Sequence, residues 1–191
     1  MLNIESLTPD RWDDLETLFG PRGACGGCWC MWWRQSRSEF ERNKGEANRR
    51  AFRQIVKSGE EPGLLAYQDG KPVGWVCVGP RERFPALERS RVLAPVDDQP
   101  VWSVVCFYIA KGARRRGMSK ALLKAALDYA RKNGARIVEG YPIPTKKGGT
   151  VDVFAYTGLE SVFERAGFEA VVRRGKTGRG VWRYYIGNNS G

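Results

Sequence analysis

One junction limits the fold more than any other stretch of the chain. Residues 101–109, Val-Trp-Ser-Val-Val-Cys-Phe-Tyr-Ile, form a nearly continuous β-branched and aromatic run, the pattern of a strand covered on both faces. Lys120 to Lys132 then places Leu122, Leu123, Ala126, Leu127 and Ala130 on one helical face. Between them lies Arg114-Arg115-Arg116-Gly117-Met118-Ser119, a basic turn with glycine where backbone must approach a ligand closely. A helix amino terminus presents unpaired N–H groups and the positive end of its dipole, so this join suits a phosphate. It is neither a Walker loop nor a dinucleotide fingerprint, because the required glycine and lysine spacings are missing.

The flanking patterns agree with a strand-and-helix alternation. Leu2 to Leu7 predicts a first strand, and Thr8-Pro9 predicts a helix start with threonine as N-cap. Trp12, Leu15, Leu18 and Phe19 recur at helical spacing until Gly20-Pro21. Ser36 to Lys57 reads as helical with a break near Gly45. Leu64–Tyr67 and Pro72–Val78 flank Asp69-Gly70, a hairpin signal. Residues 80–100 predict irregular chain with one short helix. Strands are expected at 136–141, 168–173 and 181–186, and a short helix at 159–165. The fold class is α/β (α+β) with a mixed sheet, and a single domain over residues 1–191 is expected from the length.

Charge and cysteine content narrow the function classes. The chain has 32 Lys and Arg against 21 Asp and Glu, a formal charge of +11. Such a surface attracts anions: nucleic acid, membrane headgroups or a polyphosphorylated cofactor. No nucleic-acid motif accompanies it, which favours solvated surface plus one phosphate site. No apolar run approaches the roughly 20 residues a bilayer needs, and the amino terminus predicts no secretory leader. Five cysteines are expected as free thiols, which together with these absences predicts a cytoplasmic protein. Cys25, Cys28 and Cys30 begin a thiolate metal pattern, but a fourth ligand would have to be Cys77, Cys106 or a carboxylate, so no metal is expected. Histidine is absent altogether, which removes the usual neutral-pH base.

Phe107 to Leu123 resembles the acyl-CoA-binding motif of the GNAT superfamily of N-acetyltransferases, Arg/Gln-x-x-Gly-x-Gly/Ala followed by a Leu-Leu helix. Arg114 matches its first position and Gly117 its fourth, while Ser119 replaces the last small residue. Val162 to Phe168, Val-Phe-Glu-Arg-Ala-Gly-Phe, is similar to the family's late Leu-Tyr-Glu-Lys-x-Gly-Phe signature. Arg136 to Glu139 is similar to its fifth strand, and the order of elements agrees along the chain. The resemblance implies a mostly antiparallel sheet splayed between the fourth and fifth strands, flanked by helices.

It also implies roles. Backbone groups of Phe107 and Ile109 would bond pantetheine, and N–H groups from Arg115 through Arg116, Gly117, Met118, Ser119 and Lys120 would hold the pyrophosphate of acetyl-CoA beside Arg114. An amine would attack the thioester directly in a ternary complex. Glu139 stands where several members have their base, with the alternative of an exposed strand carboxylate paired with arginine. The late-signature tyrosine that protonates the departing thiolate is replaced by Phe163, leaving Tyr156 or Tyr141 as donors. Cys28, Trp29, Trp32 and Trp33 are expected to line the acceptor pocket as an aromatic wall, or else to pack beneath a long loop. The acceptor would be a small-molecule or peptide amine, and a homodimer is compatible with the family. Two other functions stay open: a non-catalytic acyl-CoA-binding or regulatory domain, and an RNA- or aminoacyl-tRNA-directed acetyltransferase.

Overall fold

A computed structural model of the chain describes residues 1–144, 156–175 and 178–187. Seven strands form one sheet: β1 (Leu2–Ser6), β2 (Gly63–Gln68), β3 (Lys71–Pro80), β4 (Trp102–Ile109), β5 (Ile137–Gly140), β6 (Glu169–Arg173) and β7 (Gly180–Tyr185). Their order is β1-β2-β3-β4-β5-β7-β6, with β4 and β5 parallel and every other neighbouring pair antiparallel. The helices are α1 (Trp12–Phe19), α2 (Arg37–Asn43), α3 (Glu46–Lys57), α4 (Pro85–Glu88), α5 (Met118–Lys132) and α6 (Glu160–Arg165).

Local chemistry accounts for the boundaries. Thr8 does not cap α1: a 3₁₀ turn over Pro9–Arg11 intervenes, and the Thr8 hydroxyl accepts instead from Arg11 Nη1 at 2.8 Å. The capping box belongs to α2, where Ser36 Oγ accepts from the Glu39 N–H and the Glu39 carboxylate accepts from the Ser36 N–H. Asp69 and Gly70 both have positive φ, at 51° and 76°, as a two-residue type I′ hairpin requires. Helix α5 begins at Met118, two residues before the expected start, because Gly117 adopts a left-handed conformation at φ 77° and turns the chain into it.

Two apolar layers sandwich the sheet. On one side Leu122, Leu123, Ala126 and Ala130 of α5 pack against Val76, Val104, Val138 and Phe163. On the other, Trp12, Phe52 and Trp75 join Trp33, Val105 and Tyr141. The pairing of β4 with β3 skips one residue, so that Cys106 faces Cys77 and Val104 faces Val78, leaving Val105 as a bulge. On the opposite edge β4 pairs with β5 only from Trp102 to Val104, opposite Val138 to Gly140. Beyond that point the two parallel strands part, leaving a fork whose β4 side runs from Val105 to Ile109.

Candidate functional site

The fork and the turn that follows β4 form one continuous feature. Ala110 N–H donates to Val73 O on the β3 side at 2.9 Å. Strand alternation therefore turns the backbone groups of Ile109 and Phe107 to the fork. The Ile109 carbonyl already accepts from Arg114 Nε at 2.9 Å, which ties the basic turn to the strand end. Arg115 and Gly117 both have positive φ, at 61° and 77°. Left-handed residues alternating with others at the start of a helix are the backbone pattern of an anion nest. Arg115, Arg116 and Lys120 are exposed around it, Ser119 is half-buried, and Met118 is buried beneath.

Phe163 closes the base of the fork. Its ring meets Phe107 edge-on at 6.2 Å between centroids and Phe168 at 4.8 Å. A Cβ on Gly140 would stand 2.0 Å from a Phe163 ring carbon, so the last residue of β5 has to be glycine for this ring to fit. The position therefore carries an apolar plug with no proton to give.

Glu139 and Tyr141 share one side of β5, as alternation predicts, but the Glu139 carboxylate is saturated. One oxygen accepts from Arg183 Nε at 3.0 Å, and the other from Arg81 Nη1 and the Tyr141 hydroxyl, each at 2.9 Å. Glu139 is 1% exposed and Arg183 3%. The cluster extends to Asp97, which holds Arg183 through both Nη atoms, and to Ser103, whose hydroxyl lies 2.7 Å from that of Tyr141. Burial, with the Glu139 carboxylate beside it, pushes the Tyr141 phenol far above its usual range. The arrangement rivets β4, β5 and β7 to residues 81 and 97. It leaves neither Glu139 oxygen a vacant position toward the fork.

The tryptophans of the loop after α1 do not form one wall. Left-handed conformations at Trp29 and Cys30 turn the chain sharply there. Trp29 stacks on Trp12 at 6.2 Å and meets Phe19 at 5.7 Å, away from the fork. Trp32 packs edge-on against Phe40 of α2 at 4.9 Å. Trp33 is the one that reaches the site: its Nε1 donates to the carbonyl of the bulged Val105 at 3.1 Å, and its ring lies 6.5 Å from that of Tyr156. Tyr156 is half-buried, and burial raises its phenol while the nearby Arg179 opposes the shift.

All five cysteines are free thiols. Cys30 accepts from Trp75 Nε1 at 2.9 Å and lies between Cys77 and Cys106, with the Cys106 contact and then burial pushing its thiol well above the ordinary range. Cys28 is half-buried beside them and raised by burial. Among the described residues no group of three or more His, Cys, Asp or Glu side chains is disposed to hold a metal ion. Two surface concavities, of about 450 and 680 Å³, lie beside β1 and between α1 and α3, away from the fork.

Arg81, Arg183 and Arg179 carry no motif that marks them in the sequence. Arg81 and Arg183 reach Glu139 across 58 and 44 residues, and Arg179 reaches Thr157 across 22, so only the fold brings them together.

Residues 29–141 match the family model described as the acetyltransferase (GNAT) family. An uncharacterized N-acetyltransferase of Methanocaldococcus jannaschii is 24% identical over 123 residues, which span 64% of this chain and 50% of that protein. The chain thus matches about half the length of this curated relative. Among solved structures, PaiA N-acetyltransferase from Thermoplasma acidophilum in complex with coenzyme A superposes with a TM-score of 0.53 at 14% identity, covering 97% of this chain and 99% of that one. The mosquito arylalkylamine N-acetyltransferase-like protein 5b gives 0.59 at 13% identity, covering 97% and 100%. At such identities the likeness is one of fold.

Proposed function

The chain belongs to the acetyltransferase (GNAT) family, and from that premise we propose that it transfers an acetyl group from acetyl-CoA to a primary amine by direct attack in a ternary complex. The observation that carries this reading is the fork between β4 and β5, opening onto the Arg114–Lys120 turn. Pantetheine would lie along the Phe107 and Ile109 backbone like a short added strand. The N–H groups from Arg115 to Lys120 would take the pyrophosphate, with the exposed Arg115 and Arg116 screening its charge. CoA delivered this way presents its thioester near the Val105 bulge, where Trp33 holds the strand.

In the reaction the amine nitrogen attacks the thioester carbon, the C–S bond breaks, and the amide nitrogen loses a proton. Glu139 is assigned a positioning role: with two guanidinium partners it holds the base of the fork, and the amine's proton leaves through water. The thiolate takes its proton from Tyr156, the half-buried phenol beside Trp33, and that phenol regains one from water. A phenol is protonated at neutral pH in any case, and burial shifts Tyr156 further the same way. Tyr141 is excluded from this role because its hydroxyl is locked among Ser103, Arg81 and Glu139.

Mass-spectrometric detection of N-acetyl products with a panel of amines tests the reading. Tyr156→Phe should lower kcat about 10²-fold, the low end for a lost general acid, with acetyl-CoA affinity unchanged. Equal kcat in this variant would remove Tyr156 from the reaction. Acetyl-CoA binding with no product from any amine would favour the non-catalytic acyl-CoA-binding function.

A further inference from the structure

Arg179 stands at the fork in a state that its neighbours do not explain. Its Nη2 donates to Thr157 Oγ1 at 3.2 Å and toward the Tyr141 carbonyl at 3.5 Å, which places the guanidinium just past the end of β5. Thr157 follows Tyr156, whose ring faces Trp33, whose indole is bonded to the β4 bulge. The guanidinium therefore borders the same opening as the proposed thioester. Its Nε is buried with no hydrogen-bond partner, and among the described residues no carboxylate pairs with it.

The neighbouring arginines make the contrast. Arg81 is answered by Glu88 and Glu139, Arg183 by Glu139 and Asp97, and Arg174 by the carbonyls of Ala94 and Pro95. Arg179 is only half-buried, and a guanidinium with reachable nitrogens and no carboxylate among the described residues is suited to one from a ligand through charge-assisted hydrogen bonds. CoA's own phosphates do not supply that anion. The glycine turn lies beyond the end of β4, about 13 Å past Val105 at 3.3 Å per residue.

We infer that the acceptor is an amine that also carries a carboxylate, an amino acid in chemical class, and that Arg179 seats its carboxylate. This rests on the acetyl-transfer reading above. The amino group would then lie against the Trp33 and Tyr156 rings, whose faces attract a cation before it loses its proton. Arg179 is here a substrate-binding residue, and it sets specificity rather than chemistry.

The test compares matched acceptors: L-phenylalanine against phenethylamine and L-leucine against isopentylamine, with product measured by mass spectrometry and acetyl-CoA binding by titration calorimetry. The wild type should prefer each amino acid by tenfold or more in kcat/KM. Arg179→Met should bring that ratio to about one, chiefly through KM, and Arg179→Lys should give an intermediate ratio. Acetyl-CoA affinity should stay the same in all three proteins. Equal or better use of the decarboxylated amines by the wild type overturns the inference, as does an equal loss for both members of a pair in Arg179→Met. If no amine turns over, saturable quenching of tryptophan fluorescence by the amino acids on the CoA-loaded protein, lost in Arg179→Met, still supports it. Absence of such quenching overturns it. Failure of acetyl-CoA to bind folded wild type is a different result and would remove the acetyl-transfer reading itself.

Discussion

Arg179 immediately precedes β7 and Arg183 lies four residues on, within the strand, yet they live in opposite electrostatic conditions. Arg183 is almost wholly buried and holds two carboxylates, Glu139 and Asp97, which raise its already high proton affinity further. Arg179 is half-buried, bonds the Thr157 hydroxyl and the Tyr141 carbonyl, lies beside the Tyr156 phenol, and has no carboxylate partner among the described residues. The first arrangement is closed and serves the fold. The second is open, and it faces the fork. A saturated ion cluster resists change, while a half-buried guanidinium with no carboxylate beside it among the described residues can take one from a substrate.

The largest effect should follow from breaking the closed side. Glu139→Ala strands two guanidiniums, and removing one partner of a buried charge network typically costs about 3–5 kcal/mol. For a chain of this size that lowers the thermal midpoint by roughly 10 °C. If Glu139→Ala instead melts like the wild type and loses only kcat, Glu139 is a base and not a rivet. A smaller effect belongs to Asp97. Arg183 holds its carboxyl at about 2, against 3.8 for a free one, so its contribution is present above pH 4 and is lost as pH falls toward 2. The stability difference between wild type and Asp97→Asn, followed by urea unfolding, should therefore shrink steadily as pH falls from 5 to 2. A difference independent of pH would remove the ion pair as its cause. The smallest effect is expected at Arg179. Arg179→Met should cost about 1 kcal/mol, the loss of its hydrogen bonds to Thr157 and Tyr141, because no carboxylate among the described residues pairs with it. A loss comparable to that of Glu139→Ala would erase the contrast between the two arginines.

How much of this was legible in the sequence follows the range of the interactions. The junction from Val101 to Leu123 is local, so period, glycine and charge place strand, turn and helix within two residues of where they lie. Ser36-x-x-Glu39 carries its capping box in four residues. The side-chain roles are less local. Glu139 and Tyr141 are placed on one face by alternation alone, but the residues that saturate Glu139 come from positions 81 and 183, and no spacing rule links them. The Cys/Trp loop shows the same limit. Trp29, Trp32 and Trp33 lie within five residues, yet two left-handed residues send the first into the α1–α3 core and only the third to the fork. Arg179 is marked by what it lacks, and a missing partner has no sequence signature.

All of the chemistry proposed for the site requires acetyl-CoA to occupy the fork with its pyrophosphate on the Gly117 turn. Hydrogen–deuterium exchange of the protein with and without acetyl-CoA tests that placement directly. Slowed exchange is expected at the amides from Arg115 to Lys120 and along Phe107 to Ile109. Saturable binding that leaves those amides unchanged, or that protects only another surface, would contradict it.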